Sequence, residues 1–157
     1  MPDASVWLEQ LLPLIQERLA SGESVQFTPK GTSMRPMIEG GRDQVVLSPL
    51  PEKLKKYDLP LYRRENGQFV IHRIVEVGET YTCVGDNQYI LEEGVPQEWM
   101  IALVTGFVRK GKHYSVDSFG YRIYCRLWHW TRPLRYFGLR CRDIFAAIVR
   151  RLKRIFS

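Results

Sequence analysis

Residues 59–77 read Leu59-Pro60-Leu61-Tyr62-Arg63-Arg64-Glu65-Asn66-Gly67-Gln68-Phe69-Val70-Ile71-His72-Arg73-Ile74-Val75-Glu76-Val77. Two β-rich runs, Leu59–Tyr62 and Gln68–Val77, flank Asn66-Gly67, a dipeptide suited to a two-residue hairpin turn because both residues tolerate positive φ. The stretch predicts an antiparallel hairpin, and its neighbours continue the pattern. Val25–Thr28, Gln44–Leu47, Thr80–Val84, Met100–Val108 and His113–Val116 are further short β-rich runs, with Gly78-Glu79 and Lys110-Gly111 as turns. Hairpins in series, without helices between strands, read as a coiled antiparallel sheet or partly closed β-barrel rather than a βαβ fold.

Helical periodicity appears only at the two ends. Val6, Leu8, Leu11, Leu12, Ile15 and Leu19 predict a helix over 5–20, with Asp3 or Ser5 as N-cap and Ser21-Gly22 as its stop. Pro13 is expected to start a second, shorter helix. From Phe119 the helical period returns. Cys141, Ile144, Phe145, Ile148, Val149, Leu152, Ile155 and Phe156 share an arc of about 140° on a helical wheel. Arg140, Arg142, Arg150, Arg151, Lys153 and Arg154 fall opposite. Upstream, Tyr121, Tyr124, Cys125 and Trp128 share one face, and Arg122, Arg126 and His129 form a stripe. Pro133 and Gly138 are expected to divide this region into two helices. The expected class is α+β: mainly β with flanking helices.

The chain has 157 residues, 45% of them hydrophobic, enough for one real core. Its longest uncharged run is the ten residues Trp99–Val108, whereas a spanning helix needs roughly 20 apolar residues. No transmembrane segment and no secretory signal are therefore expected. Three scattered cysteines suit a reducing compartment better than a disulfide framework or a zinc site. The charge is uneven: residues 1–118 carry a net −3 and residues 119–157 a net +9. This division predicts a 1–118 β domain with an N-terminal helix and a 119–157 basic amphipathic helical tail. The tail reads as a packing helix, as a nucleic-acid arm, or as a helix on an anionic membrane surface through Arg126, Trp128, Arg150, Arg151, Lys153 and Arg154. With no recognition motif in the body, nucleic acid is the least supported of the three.

Chemistry concentrates in three segments. Lys30-Gly31-Thr32-Ser33-Met34-Arg35-Pro36-Met37-Ile38 follows a predicted strand with a small-residue turn, where a serine can stand beside free amide groups. A nucleophilic serine needs a base for its proton and N–H donors for the oxyanion. His72 is the base candidate, on a strand face with Val70 and Ile74; a core histidine would have the same neighbours. Asp86, in Val84-Gly85-Asp86-Asn87, and Glu92 are the carboxylate candidates, although Gly-Asp-Asn also folds onto its own amides as a turn.

Taken in order, Gly-x-Ser-Met-x-Pro, His-Arg-Ile-Val and Gly-Asp-Asn resemble the signal peptidase I/LexA-type serine peptidase superfamily, over about Ser24 to Val108. Gly40-Gly41-Arg42-Asp43-Gln44-Val45-Val46 is similar to its G-D-x-V-V box, with Arg42 inserted. Lys56-Tyr57-Asp58-Leu59 is similar to its G-D-I-V strand, with Tyr57 in place of glycine. The resemblance implies a fold of the signal peptidase–LexA type, with Ser33 as nucleophile. His72 would be the general base, where many members have lysine and one branch has histidine. An imidazole titrating near pH ~6.5 in solution accepts a proton at neutral pH without strong desolvation. The resemblance also implies an oxyanion and substrate loop of Gly31, Thr32, Met34 and Pro36, with the Ser33 N–H as chief donor. For the acid that orients His72, Asp86 is favoured, being short and held in a turn; Glu92 is the alternative, and a dyad without an acid is a third arrangement.

The expected activity is hydrolysis of a peptide bond in a leader or signal-type precursor, with no cofactor and no metal. The expected location is the cytoplasm or the inner face of the membrane. The competing expectations are a non-catalytic peptide- or lipid-binding β module and a self-cleaving regulator related to LexA-type proteins.

Overall fold

The computed structural model describes residues 4–155, with side chains for residues 8–146, 148 and 149. Nine strands and three α-helices follow in the order α1 (Ala4–Ala20), β1 (Val25–Phe27), β2 (Gln44–Ser48), β3 (Pro60–Arg63), β4 (Phe69–Ile71), β5 (Arg73–Val77), β6 (Tyr81–Val84), β7 (Glu92–Val95), β8 (Met100–Arg109), β9 (Lys112–Ser115), α2 (Phe119–Trp130) and α3 (Arg132–Ile155). Helices hold more residues than strands, so the class is a balanced α+β rather than mainly β.

The strands form two antiparallel sheets. One runs β1-β2-β8-β3-β4, with β9 also on β8; the other runs β5-β6-β7. The ten-residue β8 is the spine of the first, pairing with β2 along one side and with β3 and then β9 along the other. The outer strands β1 and β4 do not pair with each other, so the barrel stays open. Yet Phe27 on β1 and Phe69 on β4 line the same cleft, so the sheet is curled.

Several local features depart from the sequence reading. The Gln68–Val77 run breaks at His72, where the chain leaves the first sheet on β4 and enters the second on β5. Strand β7 was not expected, because Glu92-Glu93-Gly94 has little β preference. Pairing of Val95 with Tyr81 and of Glu92 with Cys83 holds it in place. Asn66-Gly67 closes through a longer loop, with Gly67 alone at positive φ (83°) and the Arg64 N–H on the Gln68 carbonyl. The turn expected at Lys110-Gly111 is a two-residue one, with φ 51° and 75° and Arg109 paired with Lys112.

Helix α1 runs unbroken through Pro13, against the expected restart. A proline inside a helix costs about 3 kcal/mol. Burial of Leu8 on one side and of Ile15 and Leu19 on the other offsets that, at roughly 1.5–3 kcal/mol each. Asp3 lies outside the described residues, as do the side chains of Ser5 and Val6. These α1 residues join Val45, Leu47, Leu61, Val104 and Phe107 in one core cluster. A second cluster, with Tyr62, Ile74, Cys83, Val95 and Met100, lies under the smaller sheet.

Helix α2 begins at Ser118, whose side chain accepts the Tyr121 N–H. Its Tyr121 and Cys125 enter the first core cluster, so the start of the basic tail is docked on the body. The helix is interrupted at Thr131, just before Pro133, which sits in the first turn of α3. Gly138 lies inside α3 and divides nothing.

Candidate active site

The loop between β1 and β2 carries Ser33. Gly31 takes φ 96°, and Gly40 packs so closely that a Cβ there would lie 2.1 Å from the Gly31 carbonyl oxygen. The Gly41 N–H closes the loop base on the Pro29 carbonyl at 2.8 Å. The same loop is pinned to the Gly85-Asp86-Asn87 turn. The Asn87 N–H donates to the Ser33 carbonyl at 2.7 Å, and Asn87 Nδ2 donates to the Thr32 carbonyl at 3.2 Å. A Cβ on Gly85 would come within 2.6 Å of that Ser33 carbonyl. Glycine is required there by close approach.

His72 and Arg73, adjacent in sequence, serve opposite sides of the chain. The Arg73 guanidinium grips Asp86 with two 2.8 Å bonds, and its remaining nitrogen donates to the Tyr121 hydroxyl and Cys125 Sγ, both at 2.9 Å. The Tyr124 hydroxyl donates to the second Asp86 oxygen at 3.0 Å, and the Trp128 indole and Arg135 donate to the Asp86 carbonyl. Asp86 is thus the tie between the β body and the tail, and its carboxylate bonds Arg73 and Tyr124 rather than His72. This corrects the expectation that Asp86 orients His72.

The acid beside His72 is Glu92. The ring, 2% exposed, has Nδ1 at 3.5 Å from Glu92 Oε2 and 3.3 Å from the Tyr62 hydroxyl. Tyr62 donates to the same Glu92 oxygen at 2.8 Å, and Arg64 clamps both oxygens at 2.8 and 2.6 Å. Burial alone would raise the Glu92 pKa, but hydrogen bonds from His72, Arg64 and Tyr62 outweigh it and hold the carboxyl well below the usual range. Glu92 is therefore ionised and can only accept, so an N–H at His72 Nδ1 suits this side of the ring. Burial, with Cys83 and Glu92 nearby, pushes the Tyr62 hydroxyl above its ordinary value, so it stays a neutral donor. Burial and Glu92 push the Cys83 thiol up to about 12, so it remains a thiol at neutral pH.

Ser33 and His72 line one cleft of about 1100 Å³, together with Gly31, Thr32 and Met34. Pro36 lies outside it, exposed, its carbonyl accepting from Arg109. Among the described residues, Ser33 Oγ and His72 Nε2 make no hydrogen bond, to each other or elsewhere. The N–H groups of Thr32, Ser33 and Met34 likewise donate to no acceptor there, the state in which amides can receive an oxyanion. The cleft thus places a hydroxyl and an imidazole on one lining, with an ionised carboxylate beside the imidazole. Among the described residues, no group of His, Cys, Asp and Glu is arranged to hold a metal.

Of the tail residues, Arg126 is exposed. Trp128 is turned inward, stacked on Tyr124 at 5.2 Å with the Arg135 guanidinium 3.7 Å from its ring, which corrects its expected place on a membrane surface. The side chains of Arg150, Arg151, Lys153 and Arg154 lie outside the described residues. Sequence reasoning missed Tyr62, Arg64 and the pairing of Arg73 with Asp86. The available signal was that His72 and Arg73 fall on alternate faces, so one motif serves two purposes. No protein-family model matches the chain, and neither a curated protein nor a solved structure shows significant similarity to it.

Proposed function

We propose that the protein is a serine endopeptidase of the signal peptidase/LexA type. Ser33 is the nucleophile, His72 the general base and Glu92 the acid that holds the imidazole. The single observation that carries this reading is that Ser33 and His72 open onto one cleft while His72 Nδ1 is engaged by an ionised carboxylate. Ser33 Oγ attacks the scissile carbonyl as its proton passes to His72 Nε2, and Glu92 stabilises the imidazolium. The N–H groups at 32–34 receive the oxyanion. The proton then goes to the departing amine, leaving an acyl ester on Ser33. Water, deprotonated by the same histidine, hydrolyses that ester.

The free edges of β1 and β4 flank the cleft, which suits an extended peptide added as a strand. Its floor includes Leu8, Phe27, Leu61, Phe69 and Ile71. A leader or signal-type precursor with an apolar stretch fits that lining, acting in the cytoplasm or at the inner membrane face. The test is incubation with a serine-reactive phosphonate and mapping of the adduct. Modification of Ser33 that disappears in His72→Ala supports the reading; an unmodified Ser33 at saturating probe overturns it.

The absent Ser33–His72 hydrogen bond favours one second reading, a module that binds an extended peptide without cutting it. Binding of a peptide that is recovered intact after long incubation at neutral pH would select that reading.

A further inference from the structure

Helix α2 is apolar on two opposite faces, and the body covers only one of them. Tyr121, Tyr124, Cys125 and Trp128 meet the sheet and the Asp86 turn. On the other side Phe119, Ile123, Leu127 and Trp130 are exposed, by 79, 39, 54 and 80%. Packing against the body explains the first row and cannot explain the second.

That second row does not stop at the break. The Thr131 N–H bonds the Leu127 carbonyl and the Arg135 N–H bonds the Thr131 carbonyl, so the helical ladder carries through the junction with only a local interruption. Leu134, Phe137, Ile144, Phe145 and Ile148 continue the row, with Ile144 and Phe145 side by side and the other steps three, four or seven, each at least half exposed. From Phe119 to Ile148 it spans roughly 45 Å of helix. An uncovered apolar strip of that length is far beyond the scattered exposed side chains of an ordinary surface.

The charges beside it identify the occupant. Arg122 and Arg126 flank the α2 row, and Arg140 and Arg142 flank the α3 row on its two sides. By sequence, residues 119–157 hold ten Lys and Arg against the single acid Asp143; among the described side chains Arg135 turns inward to the Asp86 carbonyl and Arg122 lies 3.8 Å from Asp117, while Arg126 and Arg140 stay on the exposed side. A protein core would oppose such a rim only with a matching set of acids, whereas an anionic bilayer supplies both the apolar layer and the negative plane above it. No helix among the described residues is long and apolar enough to cross a membrane. We propose that the outer face of α2–α3 lies in the headgroup region of an anionic membrane, with Leu127, Trp130, Leu134 and Phe137 inserted and the arginines at the phosphates. This inference does not rest on the peptidase reading.

The test is co-sedimentation of the full chain with vesicles of phosphatidylcholine alone or with about 30% phosphatidylglycerol, at low and at roughly 0.5 M salt. The expected result is binding to the anionic vesicles only, weakened by salt. Arg140→Glu with Arg142→Glu should reduce partitioning by roughly fivefold or more per residue. Leu127→Glu with Phe137→Glu, both on the uncovered side, should abolish binding while the melting temperature stays unchanged. Brominated lipid should quench wild-type tryptophan fluorescence, and Trp130→Phe should remove most of that quenching. Equal binding to neutral vesicles, no binding to either, or binding unaffected by the Leu127/Phe137 pair would overturn the proposal. So would a lipid-free dimer that this pair dissolves, since the row would then meet a second copy.

Discussion

Glu92 Oε2 lies 3.5 Å from Nδ1 of His72, and the Tyr62 hydroxyl reaches both, at 2.8 Å from the carboxylate and 3.3 Å from the ring. Three separate elements supply this group: β3, the crossing between β4 and β5, and the first residue of β7. The imidazole is therefore held on its Nδ1 side by a carboxylate and a phenol.

On the proposed reading, removing Ser33 or His72 should abolish peptide hydrolysis. Ser33→Ala and His72→Ala are each expected to lower kcat by about three orders of magnitude or more, with the double variant hardly worse than either single one. Steady-state kinetics on a cleaved peptide, with thermal unfolding as the fold control, check this. Additive losses would show that the two residues do not act as a unit.

The two carboxylates should separate cleanly. Glu92→Gln leaves an isosteric side chain but removes the charge behind His72, and should cut kcat by roughly 10²–10⁴ with the chain still folded. Asp86→Asn breaks the buried bond to Arg73, and should destabilise by about 3–5 kcal/mol. Urea denaturation alongside activity measurements distinguishes them. A wild-type rate in Glu92→Gln would remove that residue from the mechanism.

Gly85→Ala tests the contact between the serine loop and the Gly-Asp-Asn turn. The added methyl would sit 2.6 Å from the Ser33 carbonyl and 3.0 Å from its Cβ. Displacing backbone there should cost about 1–3 kcal/mol and move Ser33 out of register with His72. Phosphonate labelling of Ser33 should slow far more than a modest fall in melting temperature would explain.

Acid should destabilise the protein through two carboxylates. At Asp43, burial pushes the pKa up, but hydrogen bonds from Arg42, the Glu39 N–H and Arg109 outweigh it and hold the group well below its ordinary value; Glu92 is depressed likewise. A depressed folded-state pKa contributes stability that is complete above the unfolded-state value, near 4, and is lost as pH falls below it. Melting temperature should be level from neutral pH down to about 5 and then decline, and Asp43→Asn should flatten that decline. A melting temperature that instead rises on acidification would contradict the assignment.

Strand positions, the hairpin series and both helical ends could be read from local pattern, because side-chain alternation and helical period are written in neighbouring letters. Ser33, His72 and Glu92 could each be named as candidates for the same reason. The choice between Glu92 and Asp86 could not be made that way. Both lie a short distance after β6, and what separates them is that Arg73 reaches one while Tyr62 and Arg64 reach the other. Local pattern also misjudged the length of the Asn66-Gly67 loop and missed β7, while Lys110-Gly111 turns as expected. Tyr57 takes φ 80°, a backbone conformation that its letter conceals.

Sequence alone therefore determined where most strands and the terminal helices lie, where the cationic charge collects, and which titratable side chains are candidates, since propensity, periodicity and residue type are properties of residues and their near neighbours. Only the tertiary structure decided which carboxylate stands behind His72, that Asp86 binds the tail to the body, and which face of α2 is left uncovered. Those are contacts between residues tens of positions apart, and they exist only after two sheets and a helix have packed around a shared core.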